Sequence, residues 1–349
     1  PRIEPPASPG IALIPVHGTL VRRALGLEVA SGLCSYAEIG SRIDAALADN
    51  GESDERSATD LREMERNPDV GRRLMAVLDE GRVVAGASVM FPLQDNLTHS
   101  FATIAVLPEF RRRGLGTRLL DWIEEQAREQ GRATLQMHFN ARPGARPAGF
   151  AFAEQCGFSL EQRLVRNDLD LSSWTGADAN VPVPEGYRLV AEVGLPPERQ
   201  ADYARFQEAM TTDIPLGGLA LEPEVWDVER VGALSARLEA MGRTRWLVWA
   251  EHEGSGECAG FTEVQWAPDL GPIAYQQDTL VHRDHRGHGL GMALKRVNAA
   301  QIAAGQPAIA TIRTWNADDN THMLAVNAAL GYVVGSQMLE WQKHLRLAG

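Results

Sequence analysis

The feature that most constrains this chain is a strand-to-helix junction that occurs twice. Residues 278–295 read DTLVHRDHRGHGLGMALK and residues 103–120 read TIAVLPEFRRRGLGTRLL. In both, an apolar strand runs into a charged turn, and glycines crowd the first turn of the following helix. Such a junction points several backbone N–H groups at one spot, with the positive end of the helix dipole behind them. Glycine lets a bulky anion approach the main chain, because no Cβ stands in the way. Each junction is therefore a candidate cradle for a pyrophosphate.

The spacing shows that the duplication extends beyond the junctions. Gly86, Gly114 and Gly157 recur as Gly260, Gly289 and Gly331, at offsets of 260−86 = 174, 289−114 = 175 and 331−157 = 174. Cys156-Gly157-Phe158 matches Leu330-Gly331-Tyr332, and Gly131 and Gly305 stand where helix C-termini are expected. The 349 residues are enough for about two domains, so two tandem copies of one domain is the economical reading.

Composition narrows the function classes. A net charge of −12 argues against non-specific binding to nucleic acid or anionic membrane, which leaves the basic run Arg111–Arg113 in need of a local anion. Cys34, Cys156 and Cys258 are far apart and form no metal-binding pair, which predicts a reducing, cytoplasmic setting without a metal. No apolar run is long enough to span a membrane. Trp246, Trp249, Trp266 and Trp315 are expected in the core or in a pocket wall.

The coarse order of elements follows from periodicity and punctuation. In the first copy, strands are expected at 73–78, 82–91, 99–106, 133–139 and 162–171, with helices after Gly114 and over 149–155. In the second, a strand at 187–193 and helices at 198–210 and 224–241 precede strands at 245–252, 257–266 and 273–281. A helix after Gly289, a strand at 308–314, a helix at 321–329 and a closing strand at 338–345 complete it. The expected division is a separate segment 1–50, a first domain 51–171, a linker 172–186 rich in Gly and Pro, and a second domain 187–349.

Residues 1–50 stand apart from the repeat. Gly10–Val21, Ser35–Ile39 and Ile43–Leu47 resemble the front end of the signal-peptide-peptidase-like serine peptidases. The resemblance stops at Asn50, and neither the nucleophilic serine turn nor the general-base lysine of that family follows. Proteolysis is therefore not expected, and the segment is read as a fragment that completes the start of the first repeat.

The two copies resemble the GNAT acetyltransferase superfamily: each reads β-α-α-β-β-β-α-β-α-β, with Arg-x-x-Gly-x-Gly standing as Arg111-x-x-Gly114-x-Gly116 and Arg286-x-x-Gly289-x-Gly291. The tandem arrangement resembles the double-domain members, of which mycothiol synthase is one. The implied fold is α/β (α+β): two mixed, mostly antiparallel sheets flanked by helices. The implied cosubstrate is acetyl-CoA, with no metal. The resemblance puts its pyrophosphate on Arg111, Arg112, Arg113, Gly114, Leu115, Gly116 and Thr117, and on Arg286, Gly287, His288, Gly289, Leu290, Gly291 and Met292. Val106 and Val281 would offer N–H groups to the thioester arm, and Asn316 and Asn320 match the asparagine-bearing second motif.

The resemblance further implies acetyl transfer to a primary amine of a small molecule or peptide by direct attack, with the second copy catalytic, in a monomer or homodimer. Glu263, Tyr275 and Asp278 are the candidates for the proton-transfer groups. One departure stands out: where many members carry a tyrosine as general acid, this chain has Ala153 and Asn327. The alternatives are a non-catalytic coenzyme-binding scaffold and a mycothiol-synthase-like acetylation. A Rossmann site would need a third glycine where Leu119 and Leu294 stand.

Overall fold

The computed structural model describes residues 11–16 (backbone only), 63, 66–80, 82–175 and 182–347. Most of the segment 1–50, residues 51–62 at the start of the expected first domain, and residues 176–181 of the expected linker lie outside the described residues. The chain divides into two compact units. One runs up to Arg163 and takes in Gly217–Leu221 and the residues from Gln337 on; the other comprises Leu164–Leu216 and Glu222–Ser336.

The strand order of the first unit is β1 (Ile11–Val16), β2 (Val70–Asp79), β3 (Arg82–Pro92), β4 (His99–Val106), β5 (Thr134–Ala141) and the last strand of the chain, β12 (Val333–His344). All neighbours are antiparallel except β4 and β5. Helices α1 (Leu115–Glu129) and α2 (Ala148–Gln155) bury Leu119, Leu120, Ile123, Phe150 and Ala153 in one core with the strands. That core also holds Leu339, Trp341 and Leu345 from the C-terminal strand region.

The second unit mirrors this order: β6 (Ser159–Asp170, from Leu164 on), β11 (Thr311–Ala317), β10 (Ile273–Val281), β9 (Cys258–Trp266), β8 (Thr244–His252) and β7 (Tyr187–Val193). Helices α5 (Leu290–Gly305) and α6 (Thr321–Leu330) share a core with Trp246, Val264, Trp266 and Ile312. The other face is covered by α3 (Gln200–Asp213) and α4 (Val228–Ala240), over Leu247, Trp249 and Phe261. The α4 helix begins later than expected because Asp227 caps it, accepting from the Arg230 N–H at 2.8 Å. Gly305 is the last helical residue rather than a left-handed cap.

Both units are thus the expected mixed sheet flanked by helices, but their closing strands are exchanged. The closing strand of the first repeat pairs with β11 from Asp170↔Thr311 to Leu164↔Ala317, while that of the second pairs with β5 from Gln337↔Ala141 to His344↔Thr134. Each copy was expected to close itself. The local sequence that marks each as a closing strand does not specify which sheet it joins.

This exchange predicts where damage at the C-terminus is felt. Trp341→Ala, a large-to-small change in the first unit's core, should cost about 3–5 kcal/mol. Hydrogen exchange should then accelerate in β2–β5 rather than in β8–β11, although the substitution lies in the second repeat of the sequence.

Candidate active site

In each unit the two parallel strands at the centre pair only at one end. The β10–β11 register covers Ile273↔Thr311, Ala274↔Ile312 and Tyr275↔Arg313, and the β4–β5 register covers His99↔Thr134, Ser100↔Leu135 and Phe101↔Gln136. Beyond those residues β10 continues to Val281 and β4 to Val106 without a parallel partner in that register. At about 3.3 Å per residue, the wedge so opened on β10 is on the order of 20 Å long.

The antiparallel pairing on the other side decides what faces the wedge. His282 donates to the Ala259 carbonyl at 2.8 Å, and Leu107 to the Val84 carbonyl at 3.0 Å. Because antiparallel hydrogen-bonded pairs alternate, the preceding residues, Val281 and Val106, turn their N–H and C=O groups towards the wedge. The carbonyls are taken up locally: Arg286 Nε donates to Val281 O at 3.1 Å, and Arg111 Nε to Val106 O at 3.0 Å. The motif arginine therefore pins the turn to the end of its strand, a role that the anion argument alone does not suggest.

The turns themselves are alike. Gly114 and Gly289 cap α1 and α5 in the left-handed region, at φ 78° and 77°. Two residues earlier, Arg112 (φ 63°) and Gly287 (φ 86°) also occupy that region, so one backbone shape is kept despite the change of residue. A Cβ built on Gly114, Gly287, Gly289 or Gly291 would meet nothing within 4 Å. The space above both turns is open, as an anion cradle requires. Leu115 and Leu290 are buried in the core, so only their backbone can face a ligand. Arg113 bends back to the Glu109 carbonyl and over the Phe110 ring, and Arg286 also pairs with Asp213 at 2.6 Å.

The walls differ. The first unit has a 480 Å³ cavity along its wedge, reaching from Ala105, Val106, Arg112 and Thr117 to Phe139 and Phe152. In the second unit Arg313 stands at the position of Phe139 (313−174) and is bound by Asp168 at 2.8 and 3.2 Å. A 730 Å³ cavity lies there against Met292, Arg296, Arg313 and Trp174.

The three candidate catalytic residues lie on β9 and β10 of the second unit, with different fates. A β-bulge between Gln276 and Thr279 inserts one residue opposite β9 and reorients Asp278. Tyr203 and Gln207, one turn apart on α3, reach down to this place. Tyr203 donates to Glu263 at 2.9 Å, and Gln207 to Asp278 at 2.7 Å. Glu263 is fully buried, and Arg245 grips it through two hydrogen bonds of 2.6 and 3.0 Å, with Gln265 at 2.8 Å. Burial works against the charge on Arg245, and Glu263 more than reverses that effect; burial, then Glu263, drives the Tyr203 hydroxyl well above its usual range. Both carboxylate oxygens are thus occupied inside the sheet.

Asp278 is partly buried and free of any cation among the described contacts. Burial pushes its carboxyl up to about 6, Gln207 pulls it down, and the nearby Glu263 charge adds to the rise. Tyr275 stacks flat on Trp315, at 6.0 Å and 6°. The two asparagines organise α6: Asn320 caps it, accepting from Met323 N at 3.2 Å, and Asn316 accepts from the fully buried Asn327 at 2.7 Å. Sequence reading missed Arg245, Tyr203 and Gln207. The charged Arg245 and Glu263 within apolar strands were the one available hint of a buried pair.

The acetyltransferase (GNAT) family profile matches residues 42–158 and 213–332. The chain belongs to this family. It is an acyltransferase of the N-acetyltransferase type with two such domains in tandem. Among solved structures it is similar to a tandem GNAT protein from the clavulanic acid biosynthesis pathway, at 26% identity and TM-score 0.75, covering 97% of this chain and 100% of that one. It also shares its fold with a GCN5-related N-acetyltransferase from Sphaerobacter thermophilus, at 18% identity and TM-score 0.67, covering 97% of each chain. No curated protein sequence matches the chain.

The ion pair offers a direct test of this geometry. Arg245→Met should leave the Glu263 carboxylate buried without a cation and cost about 3–5 kcal/mol, read as a lowered midpoint in chemical denaturation. The double change Arg245→Met with Glu263→Leu should recover most of the loss.

Proposed function

We propose that the enzyme moves an acetyl group from acetyl-CoA to the primary amine of a small molecule or peptide, with the second repeat as the catalytic one. The observation that carries this reading is Asp278: a carboxylate with no bound cation among the described residues, raised to about 6, on the strand whose end presents the Val281 N–H to the wedge. The pyrophosphate would rest on the backbone of Gly287 to Met292, with Arg286 bracing the turn from behind.

In the proposed reaction the amine lone pair attacks the thioester carbonyl, a C–N bond forms and the C–S bond breaks. Asp278 accepts the proton shed by the amine, directly or through one water. The Val281 N–H stabilises the oxygen as it gains charge. Glu263, locked by Arg245 and Tyr203, positions the bulge beneath Asp278 and raises its proton affinity. Proton return to the departing thiolate falls to water, because Asn327 cannot act as an acid. The first repeat, whose 480 Å³ cavity is lined mostly by apolar side chains, is proposed to bind coenzyme without turnover.

A second reading, a coenzyme-binding scaffold, is favoured by the replacement of the usual tyrosine by Ala153 and Asn327, both fully buried. Turnover with a panel of amines, followed as release of free coenzyme A thiol, separates the two. Binding of acetyl-CoA with no turnover on any amine would favour the scaffold.

For the enzyme reading, kcat/KM should rise with pH through about 6 and level off above it, since only ionised Asp278 accepts the proton. Asp278→Asn should lower kcat about 10²-fold or more and abolish that limb, while acetyl-CoA binding by calorimetry stays within about threefold. Loss of binding instead would make Asp278 a structural residue.

A further inference from the structure

One cluster in the second unit remains outside the reaction described above. Tyr187, at the start of β7, is buried and lies among the rings of His252, His285 and His288, with centroids 5.3, 5.7 and 5.6 Å away. His252 and His285 are 5.3 Å apart, and His282 lies 6.2 Å from His285. Three of these imidazoles belong to the turn that leads into α5. The corresponding positions of the first repeat, taking offsets of 174 and 175, are Leu78, Leu107, Phe110 and Arg113, which carry no group titrating near neutrality.

We propose that coenzyme binding at the second repeat takes up protons on this histidine cluster, so that its affinity rises as the pH falls, a device the first repeat's turn lacks. The inference rests on the reading of the α5 turn as a phosphate cradle. In the free protein, protonation brings like charges together at ring-contact distance, and burial followed by the charges of His252 and His282 holds His285 below its ordinary range. A phosphate on the turn supplies the missing negative charge. Proton and coenzyme then favour each other by linkage.

The surrounding charges leave room for this coupling. On the turn, Arg283 and Arg286 are tied to Asp213 of α3, and Asp284 lies 3.5 Å from His282. Glu251 of β8 is paired with Arg188 and Arg199, and in the following hairpin Ser255 bonds both His252 and Glu257. Glu253 stands beside them on the hairpin, while Glu257 and Asp284 weakly favour the protonated His285. Tyr187 meets His285 Nδ1 at 3.0 Å, and a hydroxyl can donate to a neutral imidazole or accept from a charged one. The ring is thus held in both states.

The test is the titration of His285 in the full chain, followed by NMR with labelled histidine and assigned with His285→Phe, which copies Phe110. With saturating coenzyme A its midpoint should rise by about one pH unit, equivalent to about tenfold tighter binding at that site in the acid limit. His252→Asn should raise the midpoint in the free protein by removing a like-charged neighbour. An unchanged midpoint while the Gly287 and Gly289 amides shift on coenzyme addition would overturn the proton linkage alone. Absence of any shift at those amides would overturn the cradle on which it rests.

Discussion

The parting of two parallel strands is the constraint on which the rest of the site depends. A sheet gives up hydrogen bonds where β10 leaves β11 and where β4 leaves β5. Those backbone groups need partners, since leaving them buried and unmet is costly. The chain supplies half of the answer itself: Arg286 and Arg111 satisfy the carbonyls of Val281 and Val106. The N–H groups remain directed at the wedge, with the helix N-terminus and its glycines at the wide end. A site of this kind is built from main chain, so it tolerates much change in side chains, as the exchange of Arg112 for Gly287 illustrates.

The two repeats keep that backbone device and differ in what surrounds it. The first lines its wedge with Ala105, Phe139 and Phe152, and the second sets a buried ion pair, an amide and a carboxylate beside its own. Placing Arg245 and Glu263 in an apolar sheet is expensive unless every polar atom finds a partner, and here Tyr203, Ser235 and Gln265 join them. Beside that arrangement lies Asp278, whose carboxyl burial pushes up to about 6, with the Glu263 charge adding to the rise. This contrast is the physical basis for proposing different work for the two domains.

Much of the architecture was legible in the sequence. The two glycine turns demand left-handed backbone and an open approach, and their matched spacing from hairpin and closing signature identified the repeat. Element order, family and the carbonyl-end position of Val106 and Val281 followed from local pattern, because turns and strand alternation are written in residues near one another. Asn320 illustrates the limit: residue type alone does not announce that its oxygen caps α6, accepting from Met323 N.

Tertiary structure alone decided which strand closes which sheet, because strand partners are set by long-range packing, of Trp341 in one core and Leu169 in the other. It also gave Glu263 and Asp278 different surroundings. Both are carboxylates on adjacent strands, and what separates them is contact with residues 18 and 71 positions away in the chain, Arg245 and Gln207. The gathering of three histidines around Tyr187 is of the same kind. Proton affinity depends on burial and on neighbouring charge, and neither exists until distant segments are brought together.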